Sequence, residues 1–94
     1  GKEVYRGGND MTLKNGEYRL DANGMVKPTH GISVSADPNA VAKFGGAYKV
    51  QTLPKGLKLI QRGQNLLHYE IVPKYAMPLS QYQSLLYQIK LVPV

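Results

Sequence analysis

Three places in the chain carry residues equipped for chemistry. They are Arg6 before Gly7-Gly8, the run Thr29-His30-Gly31-Ile32-Ser33-Val34-Ser35, and His68-Tyr69-Glu70. His68 and Glu70 stand one residue apart, and a strand puts alternate side chains on one face, so they would share it at roughly 6–7 Å. Tyr69 and Ile71 then form an apolar opposite face. A histidine beside a carboxylate is either a general acid/base pair or a simple exposed pair. His30, the second histidine, falls with Ile32 and Val34 by strict alternation. That parity favours a packed imidazole over a partner of Ser33, unless Gly31 makes a bulge. Arg6 at a strand end beside glycines is placed to clamp a phosphate or stabilise developing negative charge, or to sit solvated on a rim. Ser33 and Ser35 beside Gly31 leave room for a ligand against the sheet, though the same pattern describes a wet strand face.

Several chemistries find no support. The sequence has no phosphate-binding glycine loop with Lys-Ser/Thr, no dinucleotide fingerprint and no His-Glu-x-x-His helix. With no cysteine there is neither a thiol nucleophile nor a thiolate site, and two separated histidines with few carboxylates predict no metal and no cofactor. No apolar run approaches the ~20 residues that span a bilayer, and no signal peptide is present. A chain opening at Gly1 reads as a piece cut from something longer. Twelve Lys and Arg against six Asp and Glu give a net charge of +6. Beyond Asp21 only Asp37 and Glu70 are acidic. A basic body of this kind suits phosphate backbones or an acidic protein partner.

The elements that must position these groups follow from local pattern. Ninety-four residues allow one domain, 1–94, with one modest core. Lys2 to Arg6 reads as a first strand ended by Gly7-Gly8-Asn9-Asp10, and Glu17 to Leu20 as an edge strand or arm between turns. Ile32 and Val34 mark a half-buried strand. Asp37-Pro38 is an N-cap with proline at N1, opening a helix through Phe44 that Gly45-Gly46 closes. Val41 and Phe44 are spaced to face the core, with Phe44 as an anchor. Ala47–Leu53 and Leu57–Gln61, joined by Pro54-Lys55-Gly56, read as a hairpin, and His68–Pro73 as the next strand. Three consecutive strands would gather Lys49, Lys58, His68 and Glu70. Ser80 begins a capping-box pattern, and Tyr82, Leu85, Leu86 and Ile89 form one helical stripe. Leu91–Val94 adds a terminal strand. The expected fold is therefore α+β: a small, twisted, mostly antiparallel sheet of about four to six strands, packed against the short helix and the C-terminal amphipathic helix.

From the residues alone, three functions stand side by side. A metal-independent ribonuclease needs a base for the ribose 2′-hydroxyl, an acid for the leaving oxygen and cations on the phosphorane. His68, His30, Arg6 and Glu70 fill those roles, with Lys43, Lys49, Lys58 and Arg62 positioning the backbone. An ADP-ribosyltransferase would use Arg6, Ser33, Ser35 and Glu70, in that strand order. The third function is a basic binding domain without catalysis.

The runs Lys27 to Ser33, Asp37-Pro38, Ala42 to Tyr48, Leu53 to Leu57, His68-Tyr69-Glu70 and Pro73 to Pro78 together resemble C-terminal toxin domains of bacterial polymorphic toxins, including contact-dependent growth inhibition effectors. The resemblance covers most of the chain from Val4. It implies a cargo domain at the end of a large secreted protein, delivered into the cytoplasm of a neighbouring bacterium and neutralised by a cognate immunity protein. Many such domains are transfer-RNA nucleases, some dependent on elongation factor Tu of the target cell, and ADP-ribosyltransferases travel by the same systems. The leading expectation is a transfer-RNA ribonuclease acting by metal-free acid/base chemistry, restrained by an acidic immunity protein. The ADP-ribosyltransferase is the alternative.

Overall fold

In the computed structural model, residues 2–94 are described, and Gly1, taken above as a cut end, lies outside them. Six strands form one sheet: β1 (Tyr5–Gly7), β2 (Ile32–Ser35), β3 (Ala47–Val50), β4 (Leu57–Gln61), β5 (His68–Pro73) and β6 (Leu91–Pro93). Their order is β4-β5-β2-β1-β3-β6, and every neighbouring pair is antiparallel. Two helices accompany them, α1 (Pro38–Val41), continued by a single 3₁₀ turn (Ala42–Phe44), and α2 (Leu79–Tyr87). The α+β architecture expected from the sequence is the one observed.

The core lies between one sheet face and α2. Ile32, Val34 and Ile71 point there from β2 and β5, meeting Met77, Tyr82 and Leu86, all nearly inaccessible to water. Tyr82 ties helix to sheet, since its hydroxyl donates to the Ile71 carbonyl (2.5 Å) and accepts from the Ile32 N–H (3.2 Å). Both backbone groups are buried and would otherwise lack partners. Gln83, one residue on, holds the long β1–β2 connection by accepting from the Leu13 N–H and donating to the Met11 carbonyl. Within that connection Val26 bridges Leu20 on one side and Met77 on the other, so the Glu17–Leu20 stretch contributes a bridge rather than a strand.

Local signals at α1 hold. The Asp37 carboxylate accepts from the Asn39 N–H, Pro38 fills the first turn, and Gly45 closes the 3₁₀ turn with φ at 109°. The helical segment packs close on β1 because Gly7 is bare: a Cβ there would meet the Val41 carbonyl oxygen and the Phe44 Cβ. Three expectations are corrected. Phe44 is no core anchor but 63% exposed, and no residue of α1 or the 3₁₀ turn is buried, because the segment leans on β1 by backbone approach. α2 starts at Leu79 after Pro78 with no side-chain cap, so the Ser80 capping box does not form. β3 and β4 are not a hairpin: β3 lies between β1 and β6, while β4 pairs with β5. Four sheet positions separate them, about 19 Å at ordinary strand spacing, so Lys49 and Lys58 do not converge.

Candidate active site

The β2–β5 register sets the site. Ser33 faces Glu70 and Ser35 faces His68, and directly opposed residues share a face. His68 and Glu70 therefore stand together opposite the core, as alternation predicts. Glu70 is 3% exposed, far from a simple surface carboxylate. It is held by four donors from three places. Arg62, just beyond β4, grips it bidentately, with Nε at 3.0 Å from both oxygens and Nη2 at 2.7 Å from Oε2. The Gly31 N–H donates to Oε1 at 3.0 Å, and His68 Nε2 lies 2.8 Å from Oε2. Burial alone pushes the carboxyl up. The hydrogen bonds from Arg62, His68 and Gly31 outweigh it and hold Glu70 down at about 2. It is an anion throughout the physiological range.

That anion fixes the histidine. An ionised carboxylate only accepts, so Nε2 of His68 carries the proton and, in the neutral ring, Nδ1 keeps a lone pair. Nδ1 faces the Ser33 hydroxyl at 3.4 Å. The contact extends to β1, because Arg6 Nη1 donates to the Ser33 carbonyl at 2.8 Å and Nε to the Asp10 carbonyl at 3.2 Å. β1 and β2 pair only at Tyr5 and Ser35, and the arginine takes over the Ser33 carbonyl where the strands part. A continuous chain of contacts thus runs Arg6–Ser33–His68–Glu70–Arg62 across three adjacent strands and the β4–β5 turn.

Beside it opens a cleft of about 620 Å³, lined by Arg6, Gly7, Gly8, Asn9, Asp10, Thr12, Lys14, Glu17, Ser33, Val41, Phe44 and Gly45. Phe44, misread as core, is its exposed aromatic wall, with the Lys43 ammonium 5.3 Å from the ring centre. His68 sits one hydrogen bond from the cleft through Ser33, and Glu70 one bond beyond His68.

The remaining sequence candidates separate. His30 precedes β2, half-buried, with Nδ1 3.0 Å from the Thr29 hydroxyl and no bond to His68 or Glu70. Burial, then the charges of Arg62 and Arg19, push its imidazole below the ordinary value, so it is neutral at pH 7. The Ser35 hydroxyl is buried and accepts from the Asp37 N–H, a structural task. Lys49 pairs with Glu3 at 2.8 Å on the far half of the sheet, and Lys58 lies exposed on edge strand β4. Arg62, read as a backbone-positioning cation, is committed to Glu70. The Gly31 N–H and the Arg62 clamp escaped the sequence reading. Arg62 had a signal: it stands two residues after Ile60, which opposes Glu70 across β4–β5. No group of three or more potential metal ligands occurs among the described residues.

Comparison with known proteins gives no match to any family model, any curated protein or any solved structure.

Proposed function

We propose that the domain is an ADP-ribosyltransferase toxin, which cleaves the nicotinamide–ribose bond of NAD and passes ADP-ribose to a nucleophile in the target cell. The observation that carries this reading is the connected set Arg6–Ser33–His68–Glu70, with Glu70 held at about 2. A carboxylate that never protonates is a poor general acid. It is well suited to a reaction whose transition state gathers positive charge on a ribose, because a fixed anion stabilises that charge without reorganising.

NAD is the substrate in this scheme. A guanidinium has five N–H donors, and Arg6 directs two at the Asp10 and Ser33 carbonyls, leaving donors free for a phosphate. Phe44 offers an exposed ring on which a base or pyridine ring stacks. Glu70 accepts from a ribose hydroxyl and faces the cation forming at the anomeric carbon. Its oxygens are fully engaged in the free protein, so one partner must yield. Arg62 is that partner, with 45% of its side chain exposed against full enclosure of the Gly31 N–H. Nδ1 of His68, the ring nitrogen turned away from Glu70, receives the proton that the nucleophile sheds. Delivery into a neighbouring bacterium and restraint by a cognate acidic immunity protein belong to the same proposal, supported by the resemblance and the net charge of +6.

A second reading, a metal-independent ribonuclease acting on transfer RNA, is favoured by one observation: His68 is half-exposed and backed by Glu70, with neutral His30 near the same carboxylate. It lacks a paired acid, since Glu70 stays ionised and His30 unprotonated. Two assays separate the readings. Nicotinamide release from NAD marks the transferase. Discrete cleavage of transfer RNA in EDTA, with or without elongation factor Tu, and without NAD turnover, marks the nuclease.

A further inference from the structure

Each of the six side-chain carboxylates is engaged by a neighbour within the chain. Glu3 binds Lys49, Asp10 accepts from the Thr12 N–H, and Glu17 accepts from the Lys14 N–H. Asp21 accepts from the Asn23 and Met25 N–H groups, Asp37 caps α1, and Glu70 is buried. The cations do not reciprocate. Among the described residues ten of the twelve Lys and Arg side chains form no ion pair. The net charge of +6 is therefore carried by cations that mostly have no carboxylate partner.

Part of that charge stands on the segment that runs into Gly31, the backbone partner of Glu70. The Lys27 N–H donates to the Arg19 carbonyl at 2.8 Å, which sets these two residues side by side across the Leu20–Val26 bridge. Both side chains are exposed. Arg19 Nη1 meets only the Gly16 and Tyr18 carbonyls, which leaves its charge uncompensated. Lys27 stands three residues before His30, and His30 directly precedes the Gly31 N–H that grips Glu70; the charges of Arg62, Arg19 and Lys27 act on the His30 imidazole against that of Glu70.

We propose that the acceptor of the ADP-ribosyl group is a nucleic acid, whose phosphodiester backbone docks on the exposed cations Arg19 and Lys27 on the approach to Glu70. The inference rests on the transferase reading and names its substrate class. A cationic acceptor such as an arginine side chain is repelled by these cations, whereas a polyanion is drawn to them and gains from counterion release. In the transfer, the bond between the ribose anomeric carbon and the pyridine nitrogen breaks, and its electron pair leaves with neutral nicotinamide. A nitrogen or hydroxyl of the nucleic acid forms the new bond to that carbon. The proton it sheds passes to Nδ1 of His68, and from there to water.

The test offers the whole chain NAD labelled in its adenylate phosphate, with total RNA, duplex DNA, single-stranded DNA and nuclease-treated protein extract in separate arms, nicotinamide being measured in each. The expected result is label in a nucleic-acid arm, removed by nuclease and resistant to protease, and the arms tell RNA from DNA. Label only in protease-sensitive material, or nicotinamide release with no labelled acceptor, overturns the nucleic-acid proposal and leaves NAD cleavage standing. No nicotinamide in any arm overturns both. In the Arg19→Ala/Lys27→Ala double variant, transfer falls at least tenfold. The slope of log affinity for single-stranded RNA against log salt becomes shallower by about 1.4, the share of two phosphate contacts. A thermal melt superimposable on the parent's reports intact folding. An unchanged salt slope in a folded double variant overturns docking on these cations.

Discussion

Replacing Glu70 with glutamine removes a buried negative charge while keeping the side chain's shape, and its consequences are calculable. The carboxyl is held at about 2 against an ordinary 4.5, because the bonds from Arg62, His68 and Gly31 outweigh burial. Such a group stabilises the folded state when ionised, by about 3 kcal/mol at the ceiling, and by less to the extent that water screens the exposed side of Arg62. The sign follows from the direction. A lowered carboxyl contributes its full stability above about pH 4.5 and loses it as the pH falls toward 2. Urea unfolding of the parent and of Glu70→Gln, measured from pH 7 to pH 2, isolates this group from the other carboxylates by difference. The parent should be more stable by about 2–3 kcal/mol at pH 7, with the gap closing steadily below pH 4.5. Two parallel profiles would show that Glu70 is not a held anion, and the electrostatic argument for its role would fail.

Other perturbations read different parts of the structure. Tyr82→Phe strips the donor from the Ile71 carbonyl and the acceptor from the Ile32 N–H, and should cost about 2–3 kcal/mol in denaturant unfolding. Gly31→Ala should fail to reach the parent fold by circular dichroism and thermal melting, because its Cβ lands on the Ile71 carbonyl oxygen and the Tyr82 hydroxyl. Phe44→Ala should change stability by less than about 0.5 kcal/mol, as at an ordinary exposed site, yet raise the KM for NAD through loss of the cleft wall. Arg6→Lys keeps the charge but not the fork that spans the Ser33 and Asp10 carbonyls. Its NAD turnover should fall at least tenfold, whereas parent-like kinetics would remove Arg6 from the site.

Much of the local structure is written in adjacent residues. His68–Pro73 is a strand from its alternation and its terminal proline, and the Asp37-Pro38 start and Gly45 stop of the short helical segment have chemistry that needs no tertiary help. The Tyr82–Leu86–Ile89 stripe likewise predicts the buried side of the C-terminal segment. Strand order is another matter. Whether β3 pairs with β4 or with β1 depends on contacts more than forty residues apart, such as Tyr5 opposite Lys49, and no local pattern encodes them. Phe44 was misjudged because helical spacing reports a face without telling what lies opposite it. For the site, the His68/Glu70 face followed from parity. The hold on Glu70 did not, since a backbone N–H carries no residue signature and Arg62 reads as an ordinary turn cation until the β4–β5 register is known.

The most direct test of the central claim is the rate of nicotinamide release from NAD by the purified chain and by Glu70→Gln. The connected Arg6–Ser33–His68–Glu70 set predicts measurable release by the parent and a loss of at least a hundredfold in the folded variant, about 2.7 kcal/mol of transition-state stabilisation. Absence of release by the parent, or equal release by the two proteins, would contradict the account.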